Sequence, residues 1–113
     1  MDSYKDTLRK LAVRDDRYID SLLGDHRDDA SRSGIDPRAH ALARMGALVA
    51  VDATPAAFMT TVEAALNAGA SHEEIVGTLI AVLPIVGVPR VVSAAPNLGL
   101  ALGYDVSAAL EVA

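Results

Sequence analysis

Leu66 to Tyr104, LNAGASHEEIVGTLIAVLPIVGVPRVVSAAPNLGLALGY, holds the clearest helix signals of the chain and almost no charge past Glu74. Gly69 is placed to close a helix, because glycine takes the left-handed conformation of a helix C-terminus at little cost. Ser71-His72-Glu73-Glu74 reads as a capping box: the Ser71 hydroxyl accepts from the Glu74 amide while the Glu74 carboxylate reaches back. Glu73 and Glu74 also sit where the helix dipole favours negative charge. Beyond the cap, Ile75, Leu79, Val82 and Val86 recur at spacings of three and four, which predicts a helix. Thr78 and Leu83 widen its apolar side, so the helix is expected to be buried on most faces. Pro84 lacks an amide donor and is expected to kink or restart the helix about one turn after Ile80. Gly87-Val88-Pro89 is a second break, with Pro89 as first residue of a last helix running through Arg90 to about Leu102. Pro96 lies inside that helix, and Gly99 and Gly103 give it a thin side that another backbone could approach closely.

Upstream, Tyr4, Leu8, Leu11, Asp15, Tyr18 and Leu22 step by four and three and predict one amphipathic helix over residues 3–24. Ser3 with Asp6 would cap its start and Gly24 would end it. Asp15 is the odd member of its apolar stripe, a boundary position facing water or an arginine. Arg9, Lys10, Arg14, Asp16 and Arg17 form a solvated face. Asp25 to Gly34 is polar and turn-rich and reads as a loop. Asp36-Pro37 starts a second helix, whose stripe is Leu42, Met45, Gly46 and Val49, with Leu48 and Val51 beside it. Thr54 caps a third helix begun by Pro55, with Phe58, Val62, Ala65 and Leu66 on its buried side. The reading is a single all-α domain over residues 1–113, a helical bundle of about five helices with no strand.

Composition bounds the function. Hydrophobic residues make up 51% but aromatics only 4%, so the core is built from small side chains and is expected to finish its burial in a homo-oligomer. A net charge of −5 offers no basic patch to neutralise phosphates, which argues against nucleic acid. The chain has no cysteine, which removes disulfides, thiolate metal sites and thiol redox chemistry. His26, His40 and His72 share no metal-ligand spacing, so no metal or other cofactor is expected. Met1 to Asp6 is too charged for a signal peptide. The uncharged run Ile75 to Pro89 falls short of the ~20 residues of a membrane helix. No membrane contact and a cytoplasmic location are the expectation.

The turn Ala65-Leu66-Asn67-Ala68-Gly69-Ala70-Ser71-His72-Glu73-Glu74-Ile75 resembles the signature of the carboxymuconolactone decarboxylase family, AL-x-x-G-x-T/S-x-x-E-I. Ile85-Val86-Gly87-Val88-Pro89 is similar to the family's later Y-x-G-x-P break, with Ile85 where tyrosine is usual. The similarity spans roughly Asp36 to Leu102. It implies an alkylhydroperoxidase D-like helical fold and a homo-oligomer, commonly a trimer or hexamer. The peroxidase branch uses a glutamate, a C-x-x-C pair and a histidine. Here the histidine position is Thr61, the cysteine positions are Ala57 and Thr54, and the glutamate falls near Leu42. The decarboxylase branch also usually has histidine at the Thr61 position. A threonine hydroxyl can hydrogen-bond a ligand but cannot serve as a base near neutral pH.

His40 reads either as an exposed histidine in the first turn of its helix or as a base working with a nearby carboxylate. Asp52 is either a cap for the next turn or, if partly buried, a general base. Thr60 and Thr61 are helix-surface or packing threonines, or ligand contacts. Arg90 is the sole charge between two uncharged runs, so it is either an intersubunit salt bridge or the anchor of a carboxylate. The resemblance implies a pocket beside Thr54, Ala57, Phe58 and Thr61, with the break at Ile85 to Pro89 bringing the last helix to it. Two functions remain open. One is a diverged cofactor-free lyase or isomerase acting on a small carboxylate or lactone. It would have His40, Asp52 and Thr61 as catalytic groups, and Arg90, Thr54, Ala57, Phe58 and Ile85 against the substrate. The other is a non-catalytic oligomeric ligand-binding or accessory protein.

Overall fold

The computed structural model describes residues 3–24 and 30–112, and these hold seven α-helices, one short 3-10 turn and no strand. The chain divides into two compact units, one up to Ile35 and one from Asp36 onward. The all-helical expectation holds, but the helix count of about five does not. The difference lies in one helix that splits and one that the sequence reading missed.

The first unit holds α1 (Tyr4–Ala12), α2 (Asp16–Leu23) and the 3-10 turn Ala30–Ser33. The Ser3 hydroxyl accepts from the Asp6 amide at 3.2 Å, as expected of a cap. The single helix predicted over 3–24 is broken at Asp15, whose carboxylate accepts from the Tyr18 amide at 3.1 Å and caps α2. A short acidic side chain competes with the helix for its own backbone, and here it wins. Arg14 takes φ 54, and the amides of Arg14 and Asp15 return to the carbonyls of Leu11 and Lys10, closing α1 as a Schellman motif. Neither helix holds a buried residue. Residues 25–29, the first half of the predicted loop and the place of His26, lie outside the described residues.

The second unit is built from α3 (Pro37–Ala50), α4 (Pro55–Asn67), α5 (His72–Val86), α6 (Val88–Ala101) and α7 (Val106–Val112). The caps stand where the sequence puts them: the Asp36 carboxylate accepts from the Ala39 amide, Thr54 Oγ1 from Ala57, and Ser71 and Glu74 form both bonds of the capping box. α3 packs on α4 and α5, α6 packs on the same two helices, and α7 lies against α6. Between the four larger helices sits a core of Met45 and Val49, Phe58 and Val62, Ile75 and Leu79, and Ala94 and Leu98. Ala41, rather than the predicted Leu42, completes the α3 stripe.

Three features of α5 to α7 correct the sequence reading. α5 runs unbroken through Pro84 and stops at Gly87, which takes φ 90. Pro84 forfeits only one intrahelical bond, to a carbonyl on the residue Ile80, which is 71% exposed, and the Gly87 amide still closes the last turn on Leu83. α5 is also not buried on most sides: only Ile75 and Leu79 are, and Ile85 is 85% exposed. α6 begins at Val88 with Pro89 second, and α7 follows behind an Asp105 cap on the Ala108 amide. The close approach expected at Gly99 is present, since a Cβ there would stand 2.8 Å from the Tyr104 carbonyl oxygen. Among the described residues no helix is long and apolar enough to cross a membrane.

Candidate functional site

Asp52 stands just beyond the end of α3, in the left-handed conformation with φ 53. Its amide and that of Ala53 return to the carbonyls of Val49 and Leu48, so the residue occupies the position a glycine commonly takes in a Schellman closure. Aspartate enters this region more readily than most residues, though at some cost. The turn leaves its carboxylate facing α6. There Oδ1 accepts from Ser93 Oγ at 2.7 Å, and Oδ2 lies 3.5 Å from Arg90 Nη1. Arg90 and Ser93 are one turn apart on α6 and share a face. The Arg90 and Asp52 side chains are each about half exposed, so the pair adds little to stability, at most ~1 kcal/mol.

Asp52 and Arg90 are therefore brought together within one chain, and Ser93 joins them. Ser93 was not singled out by sequence, although its i, i+3 relation to Arg90 was a readable signal. The other candidates lie elsewhere. His40 is half-buried near the start of α3, its Nε2 shielded from solvent. Ten residues of helix separate it from Ala50 at the end of α3, about 15 Å of rise, which puts His40 and Asp52 toward opposite ends of that helix. Thr54 spends its hydroxyl capping α4, Ala57 and Thr61 are half-buried further along that helix, and Phe58 is only 1% exposed, inside the core. Thr60 bonds back to the Ala56 carbonyl. Ile85 points to solvent near the end of α5.

A second polar cluster lies at the start of α5. The Glu74 carboxylate accepts from the Ser71 amide at 2.9 Å and pairs with Arg38 at 3.2 Å. The backbone hydrogen bond from Ser71, helped by the Arg38 charge, lowers the Glu74 pKa below its usual value. Glu74 stands at one end of an open groove of about 600 Å³ between α3 and α5, lined otherwise by Leu42, Ala43, Gly46, Gly77, Ala81 and neighbours. Leu42, near which the resemblance would put the peroxidase glutamate, contributes apolar surface to this groove. Among the described residues no group of three or more His, Asp or Glu side chains could hold a metal ion.

Four helices, three of them opened by a side-chain cap, pack around a core of Met45, Phe58, Ile75 and Leu98 and define a class of cysteine-free helical proteins with a polar cluster where α3 ends beside α6. The chain belongs to the carboxymuconolactone decarboxylase family, whose model matches residues 19–98. The match reaches back into α2, earlier than the span Asp36 to Leu102 that the motifs themselves suggest. No curated protein and no solved structure matches the chain.

Proposed function

We propose that the chain is a cofactor-free lyase or isomerase acting on a small, largely apolar carboxylate or lactone, as a homo-oligomer in the cytoplasm, with Arg90 as the anchor and Asp52 as the group that moves a proton. The observation that carries this reading is the Asp52–Arg90–Ser93 cluster, a cation, a carboxylate and a hydroxyl converging from two elements. An incoming carboxylate takes the place of Asp52 on the guanidinium, which has five donors to offer. Asp52, still held by Ser93, is then free to accept a proton from carbon and return it. The left-handed backbone at Asp52 supports the assignment, because strained residues of this kind concentrate at functional positions. Thiol-dependent peroxide reduction is not part of this function, for the chain supplies no thiolate.

A second reading is a ligand-binding or accessory protein that keeps the family fold without its chemistry. The placement of His40 and Asp52 toward opposite ends of α3, and a threonine, Thr61, where the resemblance implies the family's histidine, favour it. Calorimetric titration of a panel of small carboxylates on the wild type and on Arg90→Ala, alongside sizing, tests the anchor. A charge-assisted contact contributes roughly 1.5–3 kcal/mol, so the variant should bind about one to two decades more weakly while staying assembled. An assembled variant that binds every carboxylate as the wild type does disposes of the anchor role. Binding without turnover, unchanged in Asp52→Asn, selects the second reading.

A further inference from the structure

Asp52 meets Arg90 with only half of its carboxylate. Oδ2 lies 3.5 Å from Arg90 Nη1, while Oδ1 is held by Ser93 Oγ at 2.7 Å. Carboxylate and guanidinium pair most strongly through two parallel bonds of about 2.7–2.9 Å each, and this pair makes neither. The backbone holds Asp52 in place as well. At φ 53 it stands where glycine is the easier choice, so the position carries a carboxylate although its conformation does not favour one. The side chains of Asp52 and Arg90 are each about half exposed, which leaves the guanidinium within reach of a solute.

We infer that Asp52 is a resident placeholder on the anion site of Arg90, and that Ser93 sets its strength by holding one of its two oxygens. A free carboxylate displaces it and a neutral carbonyl does not. The inference rests on the proposed anchor role of Arg90 and narrows the ligand there from carboxylate or lactone to carboxylate. A free carboxylate can turn both oxygens to the guanidinium, so two charge-assisted bonds replace one long contact. A lactone or amide carbonyl offers a neutral acceptor, whose bond is roughly half as strong as a charge-assisted one. A lactone therefore enters only if it carries a carboxylate of its own. The two partners of the Ser93–Asp52 hydrogen bond then act on affinity with opposite signs. Asp52→Asn keeps an oxygen for Ser93 and loses the charge, so carboxylates should bind about two- to fivefold more tightly, the worth of an exposed ion pair. Ser93→Ala frees Oδ1 to join Oδ2 on Arg90, so the same carboxylates should bind about two- to fivefold more weakly. A merely structural hydrogen bond would move both variants the same way.

Both positions are exposed, and asparagine accepts the left-handed conformation, so both variants should keep the helical circular dichroism of the wild type. Acetate, butyrate and benzoate, each beside its primary amide, are titrated into the chain by nuclear magnetic resonance, with affinity read from the backbone amide shifts of α6. The acids should bind and the amides should not. In an Arg90→Ala background, Asp52→Asn should change the affinity for the acids by less than about twofold, because the two residues act through one contact. Affinities that are unchanged in both single variants, or moved in one direction, overturn the placeholder, while Arg90→Ala alone still reads the anchor. So does an Asp52→Asn gain that persists in full without Arg90, since it would be repulsion at a distance. An amide that binds at α6 as tightly as its acid overturns the narrowing to carboxylates. Wild-type and Asp52→Asn chains whose α6 signals none of the acids shifts overturn anchor and placeholder together.

Discussion

The helices α1 and α2 and the helices α3 to α5 are opened by the same side-chain caps, yet the two units differ in what they bury. Ser3 and Asp15 satisfy amides at the starts of the first pair as Asp36, Thr54 and Ser71 do in the second unit. Behind those caps the first pair covers no residue completely, and Leu8 remains 61% exposed. The larger unit closes Met45, Phe58, Ile75 and Leu98 away from water. A cap completes hydrogen bonds within one turn and needs only neighbours in sequence. A core needs several apolar stripes facing one another, which two short helices cannot supply.

The sharpest way to break this comparison is to empty the core. Phe58→Ala removes the largest fully buried side chain and should cost the second unit about 3–5 kcal/mol in denaturant unfolding. A loss below about 1 kcal/mol would mean that the four-helix core is no better packed than the N-terminal pair.

The caps give a middle-sized effect. Ser71→Ala should cost about 1 kcal/mol and abolish one bond of the capping box. Glu74 adds a pH dependence whose sign follows from its lowered pKa. The folded protein binds this proton less readily than the unfolded chain does, so the contribution is present above the unfolded value of about 4.5. It is lost as pH falls through the lower folded value. Glu74→Gln should flatten the acid side of the melting-temperature profile below about pH 5. An unchanged acid limb would show that the carboxylate charge adds nothing to the cap.

The smallest effect is expected on α1. Leu8→Ser alters an exposed side chain and should change stability by no more than about 0.5 kcal/mol. A loss several times larger, in the full chain, would show that something covers the α1 face in solution and would erase the contrast between the two units.

Much of the larger unit was legible beforehand because its signals are local. Gly69 takes φ 91 and closes α4, Ser71 opens α5, and Phe58, Val62 and Ala65 are buried at the spacing that predicts them. The misses came where two local signals compete. Asp15 fits the helical spacing of its stripe and also bonds its own backbone, and the second tendency prevails. Pro84 is a breaker by chemistry, yet it sits in the last turn, where breaking gains nothing. The apolar run of α5 suggested burial, but periodicity does not report whether a second face has anything to face.

The residues alone fix where α3, α4 and α5 begin, since caps and prolines act through bonds to near neighbours in the chain. They also show that the chain supplies no thiol. Which polar groups meet depends on how the helices pack. Asp52, Arg90 and Ser93 are up to forty-one residues apart along the chain, and His40 and Asp52, nearer in sequence, stand at opposite ends of one helix. The reason is geometric: a helix carries residues apart by 1.5 Å each, while packing α6 beside the end of α3 brings distant ones within a hydrogen bond.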